Sequence, residues 1–103
     1  MQDLEKQIWR SLKNIIDPEL GINIIDLGLI YEVRHEDLGQ ILIKMTLTTP
    51  GCPLAPEFVK MIKGELEKLP KIKKENVEVE FVFDPPWHQG MMSELAKAEL
   101  GFL

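Results

Sequence analysis

Residues 29–47 read Leu29-Ile30-Tyr31-Glu32-Val33-Arg34-His35-Glu36-Asp37-Leu38-Gly39-Gln40-Ile41-Leu42-Ile43-Lys44-Met45-Thr46-Leu47, and within them the apolar period of the chain becomes two. Leu29, Tyr31 and Val33 share one face of a strand over Leu29–Arg34, and Ile41, Ile43, Met45 and Leu47 share a face of a second strand. The connection His35–Gln40 is polar apart from Leu38 and contains Gly39, which predicts a hairpin. Two strands joined in this way run antiparallel.

On either side of this stretch the period is helical. Leu4, Ile8, Leu12, Ile15 and Ile16 fall on one face of a first helix, with Asp3 as the expected N-cap. Pro18 pushes Asp17 out of the α region, so the helix should stop near Ile16 and residues 17–21 should form a turn. After the loop Thr48–Pro53, a second stripe runs through Ala55, Phe58, Val59, Ile62, Leu66 and Leu69. Pro56 suits its first turn and Pro70 ends it. Asn76–Phe83 reads as a third strand, with Val77, Val79, Phe81 and Phe83 on one side. Asp84-Pro85-Pro86-Trp87 breaks it, and Met91–Leu100 is the expected last helix, closed by Gly101. The order α-β-β-α-β-α predicts an α/β (α+β) two-layer sandwich, its small mixed sheet covered by helices on the apolar face.

A length of 103 residues suits a single domain spanning 1–103, with no internal repeat or linker to divide it. Twelve basic against seventeen acidic residues give a net charge of −5, which argues against a nucleic-acid binder working through a basic surface. No apolar run approaches the ~18 residues of a membrane span. The charged start Met1–Lys6 lacks the apolar stretch of a signal peptide, so a cytoplasmic location is expected. One cysteine excludes an internal disulfide.

That cysteine, Cys52, is the first candidate for chemistry. It lies between Pro50 and Pro53 just before a helix, where unpaired N–H groups and the helix dipole favour a thiolate, which is both a metal ligand and a nucleophile. The alternative is a small buried apolar residue. A single Cys and two His fall short of the four ligands that hold a structural zinc or, commonly, an iron–sulfur cluster, so any cluster must be shared between chains or completed by other groups. Asp17, Glu19 and Asp26 flank the second turn region; Asp26, set among apolar neighbours, is either paired with backbone N–H groups or part of a site. His88 is a candidate partner for Cys52, although a histidine in a Pro-rich loop is more often solvated. His35 is expected at the surface and Trp87 as an anchor for its loop. Met91 and Met92 are expected in the core, and Lys71, Lys73 and Lys74 as a solvated run.

Three stretches together, Asp17–Tyr31, Met45–Pro53 and Asp84–Trp87 running into Leu100-Gly101, resemble the SufT/PaaD-like family of metal–sulfur cluster biosynthesis proteins. The resemblance extends from about Glu5 to Gly101. It implies an iron–sulfur-assembly-type α/β domain that acts in iron–sulfur protein maturation. It also implies that Cys52 is a cluster or metal ligand, with Asp17, Glu19, Asp26, Thr48 and Thr49 forming a functional loop region. His88-Gln89-Gly90 departs from the Thr-Pro often found after the tryptophan.

The leading expectation is therefore a non-enzymatic maturation factor with no catalytic residue. It would handle a transient iron–sulfur cluster, partner client proteins or assembly machinery, and form a homodimer if two copies share the cluster. The alternatives are an adaptor subunit that binds no metal and a thiol enzyme using Cys52.

Overall fold

The computed structural model describes residues 3–49 and 53–102. Its elements are α1 (Asp3–Leu12), β1 (Ile30–His35), β2 (Ile41–Met45), α2 (Ala55–Leu66), β3 (Val77–Phe81) and α3 (Glu94–Leu100), in the predicted order α-β-β-α-β-α. β2 is the central strand, antiparallel to β1 and parallel to β3. The small mixed sheet is thus as expected. The crossover through α2 makes the parallel pairing possible.

Ile8 and Leu12 of α1, Phe58, Ile62 and Leu66 of α2, and Ile41, Ile43 and Met45 of β2 are all almost completely buried and form one core. The other face of the sheet is charged. Lys44, the last residue but one of β2, stands opposite Glu32 on β1 and Glu80 on β3, and its Nζ lies 3.7 and 3.9 Å from their carboxylates. Such cross-strand pairs stabilise a sheet by roughly 0.2–1 kcal/mol each.

Several boundaries differ from the sequence expectation. α1 ends at Leu12, not near Ile16, and Asp3 is its first helical residue rather than a cap outside it. Lys13, Asn14 and Ile15 donate to carbonyls three residues back, which tightens the last turn. Ile16 then bridges Asn23, while the Ile15 carbonyl accepts from Ile24 and Asp17 N–H donates to the Ile22 carbonyl. Pairing with a distant segment takes these residues out of the helix and leaves Ile16 48% exposed.

In β1 the alternation is broken. Ile30 pairs with Met45 and Glu32 with Lys44, so Tyr31 is an extra residue in a bulge, and Ile30 and Val33 are the buried positions. The hairpin connection contains a 3₁₀ turn, Asp37–Gly39, in which Leu38 has φ 63° and is fully solvated. β2 ends at Met45 rather than Leu47, and α2 ends at Leu66 rather than Leu69. β3 spans Val77–Phe81 and excludes Phe83, which is exposed. Gln89–Met91 form a 3₁₀ turn, so α3 starts later than expected, at Glu94; Ser93 caps it by accepting from Ala96 N–H at 3.1 Å. Gly101, with φ 83°, closes α3 in the left-handed conformation, as predicted.

Candidate functional site

The segment between α1 and β1 folds as consecutive turns, and an aspartate organises the first. The Asp17 side chain is buried, and its Oδ1 accepts from the backbone N–H groups of Glu19 at 2.7 Å and Leu20 at 3.1 Å. Pro18 has no N–H, so these are the first two donors the carboxylate can reach. Gly21 N–H donates to the Asp17 carbonyl and completes the turn.

This turn forms one wall of a cavity of about 270 Å³. Its apolar lining includes Leu29, Leu47 and Phe58, with Leu20 and Leu54. Its polar lining comes from Asp17, Glu19, Thr48 and Thr49, with Pro53 at the α2 side. Leu54, the residue before α2, offers no side-chain cap, and Pro56 lies in the first turn. Pro53, Leu54 and Phe58 all line the cavity, so the N-terminal end of α2, the positive end of its dipole, lies beside the two carboxylates. Carboxylate and hydroxyl oxygens set against an apolar wall can bind a cation or hydrogen-bond donors while shielding them from part of the solvent.

Cys52 lies outside the described residues, as do Pro50 and Gly51. The residues that bracket these three, Thr49 and Pro53, both line the cavity. Among the described residues no group of three or more His, Cys, Asp and Glu is placed to hold a metal ion.

Four of the sequence-selected residues, Asp17, Glu19, Thr48 and Thr49, thus come together, and Asp26 does not join them. Asp26 makes a reciprocal pair with Asn23: its Oδ2 accepts from Asn23 Nδ2 at 2.6 Å, and its N–H donates to Asn23 Oδ1 at 2.9 Å. The Asp26 carbonyl also accepts from Ser93 N–H, tying this loop to the C-terminal segment. His88 is exposed, and its Nδ1 accepts from Gly90 N–H at 3.0 Å, which commits that nitrogen locally. His35 is at the far end of β1 from Leu29, roughly 20 Å along the strand at about 3.3 Å per residue. Trp87 anchors its loop as expected, donating from Nε1 to the Leu27 carbonyl. Met92 is buried, whereas Met91 is only half-buried, below the Tyr31 hydroxyl.

The apolar wall escaped the sequence reading because a leucine facing a cavity looks like one facing the core. One signal was present: the alternation through Leu47 outlasts β2 by two residues. Thr46 was also missed. It is fully buried, and among the described residues its Oγ1 has no hydrogen-bond partner.

Comparison with known proteins adds to this geometry. The family model described as "Iron-sulfur cluster assembly protein" matches residues 5–79, from α1 into β3, including every residue of the cavity lining. The chain is 45% identical over 98 residues to the Fe-S protein maturation auxiliary factor YitW of Bacillus subtilis, covering 95% of this chain and 94% of that protein. It is 46% identical over 87 residues to the Fe-S protein maturation auxiliary factor SufT of Staphylococcus aureus, covering 84% and 97%. A crystal structure titled as a domain of unknown function, DUF59, from Bacillus anthracis superposes with a TM-score of 0.88 at 38% identity, covering 97% of this chain and 93% of that one. Among the described residues no helix is long and apolar enough to cross a membrane.

Proposed function

Because the chain belongs to the iron–sulfur cluster assembly protein family, we propose that it serves the maturation of iron–sulfur proteins, helping to assemble clusters or deliver them to client proteins. The cluster is cargo, and Cys52 supplies a thiolate to it. The observation that supports this reading is the position of Thr49 and Pro53. Thr49 and Pro53, which flank residues 50–52 in the sequence, both line the cavity that holds Asp17 and Glu19.

One cysteine and two histidines cannot provide the four thiolates that commonly hold a cluster. The remaining ligands come from a second copy of the chain or from a partner in the assembly machinery. Binding is therefore labile, which suits a protein that must release what it carries. The chain catalyses no reaction of its own in this reading and works in the cytoplasm as one domain.

Anaerobic reconstitution with ferrous iron and sulfide tests the proposal through visible charge-transfer absorption, iron content and size-exclusion chromatography. A coloured species larger than the monomer is expected, and its colour should be lost in Cys52→Ser. A stable cluster on a strict monomer would overturn the sharing model. A wild-type protein that stays colourless both alone and with its native partners would make the chain a metal-free adaptor subunit.

A further inference from the structure

A second surface is built around Gly64, two residues before the end of α2. Glycine inside a helix is unfavourable relative to alanine, and it is usually kept where a Cβ would collide or φ is positive. Neither applies here: among the described residues a Cβ added at Gly64 would have nothing within 4 Å, and Gly64 lies inside α2 without a positive φ. The gap instead lowers the surface of α2, and two grooves meet there. One is bordered by Lys60, Lys63, Glu67 and Lys74; the other, on the opposite side of Gly64, by Asn14, Met61 and Lys68.

Residues 60–75 contain six lysines and three glutamates, a local charge of +3 in a chain whose net charge is −5, and Lys60, Lys63 and Lys74 line the first groove together with Glu67 and Glu75. Lys68 pairs with Glu65 at 2.9 Å, but among the described residues Lys60, Lys63, Lys71, Lys73 and Lys74 have no carboxylate within salt-bridge distance. A lysine in the last turn complements the helix dipole, which accounts for Lys63 but not for Lys60 or Lys74.

We propose that the Gly64 face docks an acidic segment of a partner protein, whose carboxylates meet Lys60, Lys63 and Lys74 while its backbone passes over Gly64. A nucleic acid fits less well. Every nucleotide carries a phosphate, so some would fall on Glu67 and Glu75 in the same groove, whereas a peptide can set uncharged residues there and carboxylates against the three lysines. The surface lies beyond Phe58 toward the other end of α2, so a docked partner leaves the cavity accessible. The inference stands whether or not a cluster is bound.

The test titrates the ¹⁵N-labelled full chain with a synthetic 12-residue Glu/Asp-rich peptide at low salt. Amide shifts are expected to centre on Lys60, Lys63, Gly64 and Lys74, and affinity should fall at least tenfold when those three lysines become glutamine. Gly64→Ala should raise the thermal midpoint yet weaken the peptide severalfold, which separates docking from folding. Shifts scattered over the surface, an unchanged affinity for Gly64→Ala, or tighter binding of a single-stranded oligonucleotide than of the peptide would each overturn the proposal.

Discussion

Trp87 donates its indole Nε1–H to the backbone carbonyl of Leu27 at 2.8 Å, joining positions 60 residues apart in sequence. The residues on either side of Leu27 extend the clasp. Gly28 packs against the backbone carbonyl of Met91, and one residue earlier the Asp26 carbonyl accepts from Ser93. Tyr31, freed by its bulge, donates its hydroxyl to the Pro85 carbonyl at 2.7 Å. The C-terminal segment therefore holds the loop that leads into β1 and, through Leu29, the wall of the cavity.

Trp87→Phe should cost about 1–2 kcal/mol, because it keeps most of the apolar ring but leaves the Leu27 carbonyl without its donor. Gly28→Ala should cost about 2 kcal/mol or more, since φ at this position is 77° and the new methyl meets the Met91 backbone. Both act on one clasp, so urea unfolding of the double variant should show less than the sum. Strict additivity would mean that the two contacts are independent.

Asp17→Asn retains an acceptor for the Glu19 and Leu20 amides and should change stability little. Asp17→Ala strands both amides and should cost about 1–2 kcal/mol, as the loss of a helix cap does. Urea midpoints of the two variants check this, and equal losses would show that charge rather than hydrogen bonding holds the turn.

Thr46→Val replaces a fully buried hydroxyl that has no partner among the described residues with a methyl group of similar size. The expected result is neutral to stabilising, by about 0–2 kcal/mol, because an unpaired polar group is removed from the core. A clear loss of stability would mean that the hydroxyl is paired, for instance with a buried water.

The hydrogen bond from Arg34 holds the Glu32 carboxyl below its usual value of 4.5, with the Arg34 and Lys44 charges acting in the same direction. A depressed carboxylate contributes stability above the unfolded-state pKa, and that contribution is lost as pH falls through the folded-state value. Glu32→Gln should therefore lower stability slightly at neutral pH, where the contribution is fully present, and the difference from the wild type should vanish as pH falls below about 4.5. Side-chain NMR titration should place Glu32 below the usual value of 4.5, and 1 M salt should shrink the difference, since exposed pairs are screened.

The element order, the hairpin and the small mixed sheet were legible in the sequence. Each follows from a local property: an apolar period of two or of 3.6, a proline at a helix end, a glycine past one. The turn built on Asp17-Pro18-Glu19 is equally local, since its hydrogen bonds span two and three residues. What only the tertiary structure decided depends on partners far away in the chain. α1 stops at Leu12 because Ile15 and Asp17 find backbone partners in Ile24 and Ile22. Tyr31 is bulged because β1 must match the register of β2 while its hydroxyl reaches Pro85. Asp26 looked like a companion of Asp17, yet Asn23 and Ser93 hold it away from the cavity. Periodicity states which face of an element is buried; it carries no information on which distant groups satisfy the backbone where that element ends, and at those ends the cavity is built.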